Sequence, residues 1–354
     1  MNDLKNLNPR SIIVRMPNWL GDSVMATPIL IDLKKSFPKA AITAVGGENV
    51  APLLEHDPAV DTVVRFKRPS KRRIFRRCER NLAAHLKGRS YDLGILLTNS
   101  LSSAWRFRRG GVKNIIGYRS DGRRFLLSHP LPFPTKRKEQ HLVITYKELL
   151  APLGIAVSET FPRLVVLPKE VESGREKINR FDLPPDAKLI GINPGSAFGT
   201  AKCWLFERFG QVAKKLVEAD PRHVVLFFGD GAHGQLTGNS CVDLPKRVIN
   251  LTARTTLREL LALIKICSVL LTNDSGPMHI ADALAVPLIA LFGSTSPIAT
   301  GPYRQSRNVI RKKVRCSPCF KRVCPIDFRC MKKIEVEEVT EAVLKEMEER
   351  YSPV

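Results

Sequence analysis

The chain has 354 residues, of which 44% are hydrophobic and 26% charged, a composition typical of a globular protein with room for two domains. It contains no apolar run of the roughly 18 residues that a bilayer-spanning helix needs. Residues 1–22 show no basic segment followed by an apolar one, so no secretory signal is predicted. We therefore expect a cytosolic protein whose cysteines are reduced or metal-bound.

Positive charge dominates the sequence and is clustered. Lys and Arg number 57 against 34 Asp and Glu, which gives a formal net charge of +23. The cations concentrate in three segments, Arg65–Arg89, Trp105–Arg124 and 311–316. Clustered cations attract polyanions, so nucleic acid, anionic lipid and phosphorylated glycan are candidate partners. The alternative for residues 70–89 is a solvated face of an ordinary helix.

Short apolar runs alternate with longer amphipathic stretches, which is the pattern of strand–helix units in a parallel sheet. In the first half, strands are predicted at 11–15, 41–45, 61–66, 91–97 and 114–118. Helices are predicted at 23–36, 70–88, 101–109 and 139–153. In the second half, the predicted strands are 188–193, 223–229, 248–251, 268–273 and 287–293, with helices at 205–219, 256–267 and 277–285.

An extended, proline-containing stretch at 154–170 joins the two halves. We therefore predict an α/β protein of two Rossmann-like parallel-sheet domains, 1–160 and 161–335, that face each other across a cleft. A last helix at 336–350 follows a cysteine-rich loop and is a candidate to pack back on the first domain. Ligands of open α/β sheets bind at the carboxyl ends of strands, so the segments that follow the strands are the places to search for a site.

The first such segment is RMPNWLGDSVMATPIL (15–30), between the first predicted strand and helix. Its Asp22 is a candidate general base, because a carboxylate at the mouth of a cleft can take a proton from an attacking hydroxyl. Asp followed by Ser-Val-Met-Ala is also a good helix N-cap. The spacing alone favours neither interpretation.

Two further segments have the character of phosphate-binding loops. NPGSAFGTAKCW (193–204) is a Gly-rich turn whose small residues admit a phosphate and whose Lys202 supplies a charge; a plain strand-to-helix turn is the alternative. In LLTNDSGPMHIADAL (270–284), Ser275 and Gly276 would place backbone amides and the positive end of a helix dipole against a diphosphate. Asp274 could accept hydrogen bonds from sugar hydroxyls, and His279 would point in the same direction. Alternatively, Asp274 or Ser275 caps a helix and His279 is a surface histidine.

A third loop, CSPCFKRVCPIDFRC, contains Cys316, Cys319, Cys324 and Cys330. This spacing would permit a tetrahedral structural zinc in a reducing compartment. Reduced thiols and a redox-labile disulfide are the alternatives.

In their order and separation, RMPNWLGDSVMATP, PGSAFGTAKCW and TNDSGPMHIADAL resemble the motifs of the ADP-heptose:lipopolysaccharide heptosyltransferases, glycosyltransferase family 9. The Pro-Asn-Trp-Leu-Gly-Asp form of the first motif is most similar to the heptosyltransferase II branch. The likeness extends from about residue 11 to residue 350. It implies a GT-B fold, an ADP-heptose donor held by the second domain and an inner-core acceptor held by the basic first domain.

The resemblance also implies roles for individual residues. Asp22 becomes the general base and Lys202 the diphosphate contact. The implied donor-binding residues are Asn273, Asp274, Ser275, Gly276 and His279. No acceptor-binding residue is identified. The resemblance implies metal-independent catalysis, with which the absence of an Asp-x-Asp motif agrees, so no cofactor is expected for catalysis.

The reaction expected from this resemblance moves L-glycero-D-manno-heptose from ADP-heptose to the first heptose of the lipopolysaccharide inner core, with inversion. The enzyme would lie peripherally on the anionic inner face of the bacterial inner membrane. One alternative is the sibling reaction, in which Kdo is the acceptor. Another is a non-catalytic basic module that binds nucleic acid or anionic lipid. Because the basic runs are not interleaved with stacking aromatic residues and no DNA-binding motif occurs, we expect no nucleic-acid partner.

Overall fold

Two six-stranded sheets form the framework, one in each of two units, Met1–Val165 and Val166–Val354. The structure is a computed structural model that describes residues 4–66, 82, 85–86, 88–134, 139–230 and 245–351. Neighbouring strands pair in parallel throughout both sheets. The prediction of two Rossmann-like parallel sheets is therefore confirmed.

The first sheet has the strand order β3-β2-β1-β4-β5-β6. Its strands are β1 (Ser11–Arg15), β2 (Ala41–Gly47), β3 (Thr62–Phe66), β4 (Leu93–Leu96), β5 (Asn114–Tyr118) and β6 (His129–Leu131). Its helices are α1 (Leu20–Met25), α2 (Thr27–Ser36), α3 (Leu101–Arg109) and α4 (Leu142–Lys147), with 3-10 turns at Ala51–Leu54, Arg123–Leu126 and Glu148–Leu153. The sequence prediction missed β6, because this edge strand has only three residues and contains a proline.

The helix predicted at 23–36 is broken in two at Ala26. Pro28 has no N–H to donate to the carbonyl of Val24, so a continuous helix would leave that carbonyl unbonded. The hydroxyl of Thr27 donates to it instead, at 2.8 Å. As a result α1 is a separate short helix, and it begins at Leu20 rather than at residue 23.

The first part of the predicted linker is held firmly on the first unit. Lys147 is buried and donates to the carbonyls of Ser158, at 2.8 Å, and Thr160, at 2.7 Å. The hydroxyls of the same two residues donate to the carboxylate of Asp32 in α2, at 2.7 and 2.8 Å. These contacts carry the boundary between the units to Val165, inside the predicted linker and beyond the predicted limit at 160.

The second sheet has the strand order β12-β11-β10-β7-β8-β9. Its strands are β7 (Lys188–Asn193), β8 (His223–Phe227), β9 (Val248–Asn250), β10 (Val269–Asn273), β11 (Leu288–Phe292) and β12 (Val309–Arg311). Its helices are α5 (Pro168–Asn179), α6 (Phe206–Ala219), α7 (Leu257–Ile266), α8 (Gly276–Ala283), α9 (Pro297–Thr300), α10 (Arg329–Lys332) and α11 (Val336–Tyr351).

The last helix, α11, is part of the second unit. Its side chains Val336, Val339, Val343 and Met347 lie in the same apolar core as residues of β7, β10 and α6. The expectation that this helix belongs with the first domain is therefore wrong. Its apolar residues recur every three or four positions, and that spacing gives one apolar face that the second sheet and α6 cover.

Helix α5 was not predicted, because it begins inside the predicted linker and buries only Gly174 and Ile178. Ion pairs hold it to α7: Arg258 contacts Glu170, and Lys177 Nζ lies 2.7 Å from Glu259. The helix predicted at 70–88 lies mostly outside the described residues, as does most of the Arg65–Arg89 cluster. Within the part of the chain that the structure describes, no helix is long and apolar enough to cross a membrane.

Candidate functional site

In both sheets the strand order reverses beside the central strand, between β1 and β4 in the first unit and between β7 and β10 in the second. At such a point the loops that follow the two strands diverge and leave a crevice, where open α/β sheets bind their ligands. The three motifs of the sequence follow β1, β7 and β10 directly. The topology thus places each motif at a switch point of its own sheet.

The buried amide of Asn273 joins the two loops of the second switch point. Asn273 ends β10 and is fully buried. Its Oδ1 accepts the N–H of Trp204 at 3.0 Å, and its Nδ2 donates to the carbonyl of Pro194 at 2.6 Å. Asn273 therefore fixes both ends of the segment 194–204, which we call the Gly-rich loop. Both polar atoms of the side chain bond within the protein, and the donor contact of Asn273 stays a prediction.

Lys202 and Asp274, both predicted to bind the donor, form an ion pair. Lys202 Nζ lies 2.6 Å from Asp274 Oδ2, and the two side chains are only 12% and 4% exposed. The hydroxyl of Thr295 donates to the same carboxylate oxygen at 2.5 Å. Lys202 Nζ also lies 4.8 Å from the centre of the Phe198 ring. The site therefore holds a compensated charge pair, in which each ion needs the other to remain buried.

Ser275 is the N-cap residue of α8, yet its side chain makes no capping hydrogen bond. Its Oγ instead lies 3.2 Å from Asn193 Nδ2 and 3.0 Å from the hydroxyl of Thr272. The interpretation of Ser275 as a side-chain cap is therefore wrong. The first turn of α8, which begins at Gly276, keeps the partial positive charge of a helix N-terminus available for an anion.

His279 is the fourth residue of α8, and its side chain is only 5% exposed. The alternative that it is a surface histidine is therefore wrong. It belongs to the same short helix as Gly276, so the structure brings it to the switch point with the other predicted donor-binding residues.

Asp22 lies in the first turn of α1, directly after the loop that follows β1. The N-cap position of this helix is occupied by Trp19, without a side-chain hydrogen bond, so the interpretation of Asp22 as the cap is wrong. The loop itself is fixed by buried Arg15, which donates to Asn18 Oδ1 at 2.6 Å, and by Ser23, which donates to the carbonyl of Pro17 at 3.0 Å. Asp22 itself is partly exposed.

Sequence reasoning missed a second fixed point of the first unit, Arg123. This fully buried guanidinium donates to the carbonyl of Tyr118 at 2.9 Å and to the carbonyl of Thr98. Burial lowers the pKa of Arg123 to about 10, so it is still charged at neutral pH. It ties together the loops that follow β4 and β5. The sequence signal was misleading, because Arg123 stands in a basic run that was interpreted as a surface for polyanions.

The four cysteines line a common pocket together with Ala201 of the Gly-rich loop. Cys316 is exposed and Cys330 buried, and burial raises the pKa of the Cys330 thiol. In the described ranges, no group of three or more His, Cys, Asp and Glu side chains is arranged to hold a metal ion.

Structural zinc at the four cysteines stays a prediction. Elemental analysis of protein purified under reducing, chelator-free conditions should find about one zinc per chain, and finding none would contradict it.

The pattern of glycosyltransferase family 9 (heptosyltransferase) matches residues 79–328, which include the second and third motifs. The chain belongs to glycosyltransferase family 9. This family 9 enzyme is 31% identical to lipopolysaccharide heptosyltransferase 2 of Escherichia coli over 310 residues, 85% of this chain and 87% of the relative. It is 28% identical to lipooligosaccharide heptosyltransferase 2 of Campylobacter jejuni over 340 residues, 94% and 98% of the two chains.

Among solved structures, the family 9 enzyme is similar to the ADP-heptose lps heptosyltransferase II of E. coli. The TM-score is 0.80 at 25% identity, and the match covers 97% of this chain and 100% of the other. The GT-B fold that the sequence motifs implied is therefore confirmed.

Removal of Lys202 should lower the stability of the family 9 enzyme and, if Lys202 contacts the donor diphosphate as its motif predicts, the affinity for ADP. In Lys202→Ala the buried carboxylate of Asp274 loses its counter-ion, which typically costs about 3–5 kcal/mol of unfolding free energy. We expect the affinity for ADP, measured by calorimetry, to fall about ten- to a hundredfold, since a charge-assisted contact contributes about 1.5–3 kcal/mol.

The double variant Lys202→Met/Asp274→Asn is the matched control. It removes both charges and leaves neither buried alone, so its melting temperature should recover while its affinity for ADP stays low. A Lys202→Ala protein with wild-type melting temperature and affinity would show that the ion pair has no such role.

Proposed function

We propose that this chain transfers L-glycero-D-manno-heptose from ADP-heptose to the first heptose of the lipopolysaccharide inner core, with inversion at the anomeric carbon. The observation that carries the proposal is the match to relatives named heptosyltransferase 2 along 85% and 94% of the chain. The switch-point loops of both sheets supply residues suited to the two substrates.

The acceptor half of the reaction is assigned to Asp22. Its carboxylate takes the proton of the attacking acceptor hydroxyl, while the oxygen of that hydroxyl forms the new bond to the anomeric carbon. The bond from that carbon to the diphosphate oxygen breaks on the opposite face, so the configuration inverts and ADP leaves. The position of Asp22 in the first turn of α1 supports this role, because the residue is partly exposed directly after the loop that follows β1.

The donor half is assigned to the second switch point. Lys202 and the N-terminal turn of α8 stabilise the negative charge that grows on the leaving diphosphate. Asp274, held by Lys202 and Thr295, lies beside them and accepts hydrogen bonds from sugar hydroxyls. We propose that catalysis needs no metal cofactor, because Lys202 and the N-terminal turn of α8 contact the leaving diphosphate directly.

We further propose that the enzyme works peripherally at the anionic inner face of the bacterial inner membrane. Support comes from exposed residues of α3 and the 3-10 turn Arg123–Leu126, two elements of the first unit that contact each other. They present the apolar side chains Leu101, Trp105 and Phe125 and the cations Arg108, Arg109 and Arg124. The guanidinium carbon of Arg109 lies 4.9 Å from the Trp105 ring centre. Aromatic groups with neighbouring cations suit the interface of an anionic bilayer.

The acceptor specificity is tested with purified protein, ADP-heptose and two lipid acceptors, one ending in Kdo and one ending in heptose. We expect turnover with the heptose-terminated acceptor. Turnover with the Kdo-terminated acceptor alone would identify the sibling reaction. Turnover with neither, in protein that binds no ADP, would contradict the proposed function.

Asp22→Asn should separate catalysis from stability. Asparagine cannot accept the proton at neutral pH, so single-turnover rates should fall about 10²- to 10⁴-fold. The melting temperature should change little, because a first-turn carboxylate contributes only about 0.3–1 kcal/mol through the helix dipole. The affinity for ADP should be kept. Glu207→Gln, which removes a first-turn carboxylate from α6, is the control and should keep full turnover. Near-normal turnover of folded Asp22→Asn protein would exclude Asp22 as the base.

Binding to vesicles of anionic lipid should weaken as the salt concentration rises, because exposed charges are screened beyond about 8 Å at physiological ionic strength. Arg108→Gln/Arg109→Gln should reduce vesicle binding about thirtyfold at low salt, since each cation contributes about 1 kcal/mol. Lys214→Gln/Lys215→Gln removes the same charge from α6 and should leave binding nearly unchanged. Co-sedimentation that is equal for both double variants and independent of salt would contradict the proposal.

A further inference from the structure

Arg322, in the four-cysteine loop, lies against the Gly-rich loop although about 120 residues separate the two segments in the sequence. Its carbonyl accepts the N–H of Ala201 at 2.9 Å. Its guanidinium carbon lies 5.3 Å from the centre of the Phe198 ring, and Lys202 Nζ lies 4.8 Å from the same centre. One aromatic ring of the Gly-rich loop thus carries two cations from distant parts of the chain.

The main chain of Arg322 is pressed closely against the loop. Gly199 has a φ of +150°, and a Cβ at this position would collide with the carbonyl oxygen of Arg322. Only glycine fits such a close approach. The base of the Arg322 side chain is therefore held at a fixed place beside the Gly-rich loop, although the side chain itself is exposed.

The charges at the second switch point indicate what Arg322 could do there. Lys202 is neutralised by Asp274, so the pair adds no net positive charge for the diphosphate of a nucleotide sugar. Among the described residues, no carboxylate pairs with Arg322. A guanidinium without a counter-ion, next to a loop that follows the switch-point strand, suits bidentate contact with phosphate oxygens.

We propose that Arg322 contacts the diphosphate of the donor. It supplies a positive charge that, unlike the charge of Lys202, is not neutralised by a carboxylate of the described residues. The four-cysteine loop then carries a donor-binding residue and is not a separate structural appendage. This proposal rests on the proposed function, because it takes the donor to be an ADP-sugar bound at the second switch point.

Calorimetric titration of the full-length protein with ADP tests this assignment. Arg322→Ala should lower the affinity for ADP about ten- to a hundredfold, as expected for loss of a charge-assisted contact. The affinity for adenosine, which has no diphosphate, should be unchanged. Arg322→Lys keeps the charge but not the bidentate geometry, so its affinity for ADP should lie between those of the wild type and Arg322→Ala.

Lys321→Ala is the matched control, because it removes one positive charge from the adjacent residue, which lines the cysteine pocket. It should bind ADP like the wild type. Equal affinity of wild type and Arg322→Ala for ADP would overturn the proposal, as would an equal loss in Lys321→Ala, which would indicate only a general field. A parallel loss of adenosine affinity in Arg322→Ala would also overturn it, by showing a role in loop packing. Wild-type protein that binds neither ADP nor ADP-heptose would instead reject the proposed function itself.

Discussion

The candidate donor site depends on one buried amide, the side chain of Asn273. It holds both ends of the Gly-rich loop to the end of β10 through Trp204 and Pro194. An amide buried without partners would cost about 1–3 kcal/mol, so the two bonds and the burial of Asn273 require each other. Because Asn273 holds this loop, Lys202 forms its ion pair with Asp274. Phe198 and Gly199 contact the four-cysteine loop.

In the first unit, the switch-point loops are held by guanidinium groups rather than by an amide. Its switch-point loops are fixed by buried guanidinium groups, Arg15 behind the Asp22 loop and Arg123 between the loops that follow β4 and β5. A guanidinium offers five donors and is therefore suited to collecting several carbonyls at once. Each sheet thus has a rigid polar group that holds its switch-point loops, and the candidate site residues lie on these loops or directly after them.

Much of this arrangement could be predicted from the sequence. Ten strands follow from their apolar runs, and the three motifs follow from their places after β1, β7 and β10. The edge strands β6 and β12 were not predicted because neither shows an apolar run: β6 contains Pro130, and β12 leads directly into the basic segment 311–316. Helix α5 was missed since ion pairs, rather than an apolar face, hold it. Arg322 lies close to Gly199 only because the chain folds through the whole second sheet between them. No local sequence pattern predicts this contact.

The place of α11 in the second core affects how the chain folds as it leaves the ribosome. The strands of the first sheet are complete at Leu131, and the residues that fasten the linker follow soon after. The second core, in contrast, lacks Val336, Val339, Val343 and Met347 until the segment that follows its last strand has been made. During synthesis the apolar strands β7 to β11 must therefore wait, with part of one face uncovered, for the last helix to emerge. Until then the uncovered apolar surface of the second unit makes it prone to aggregation in the nascent chain.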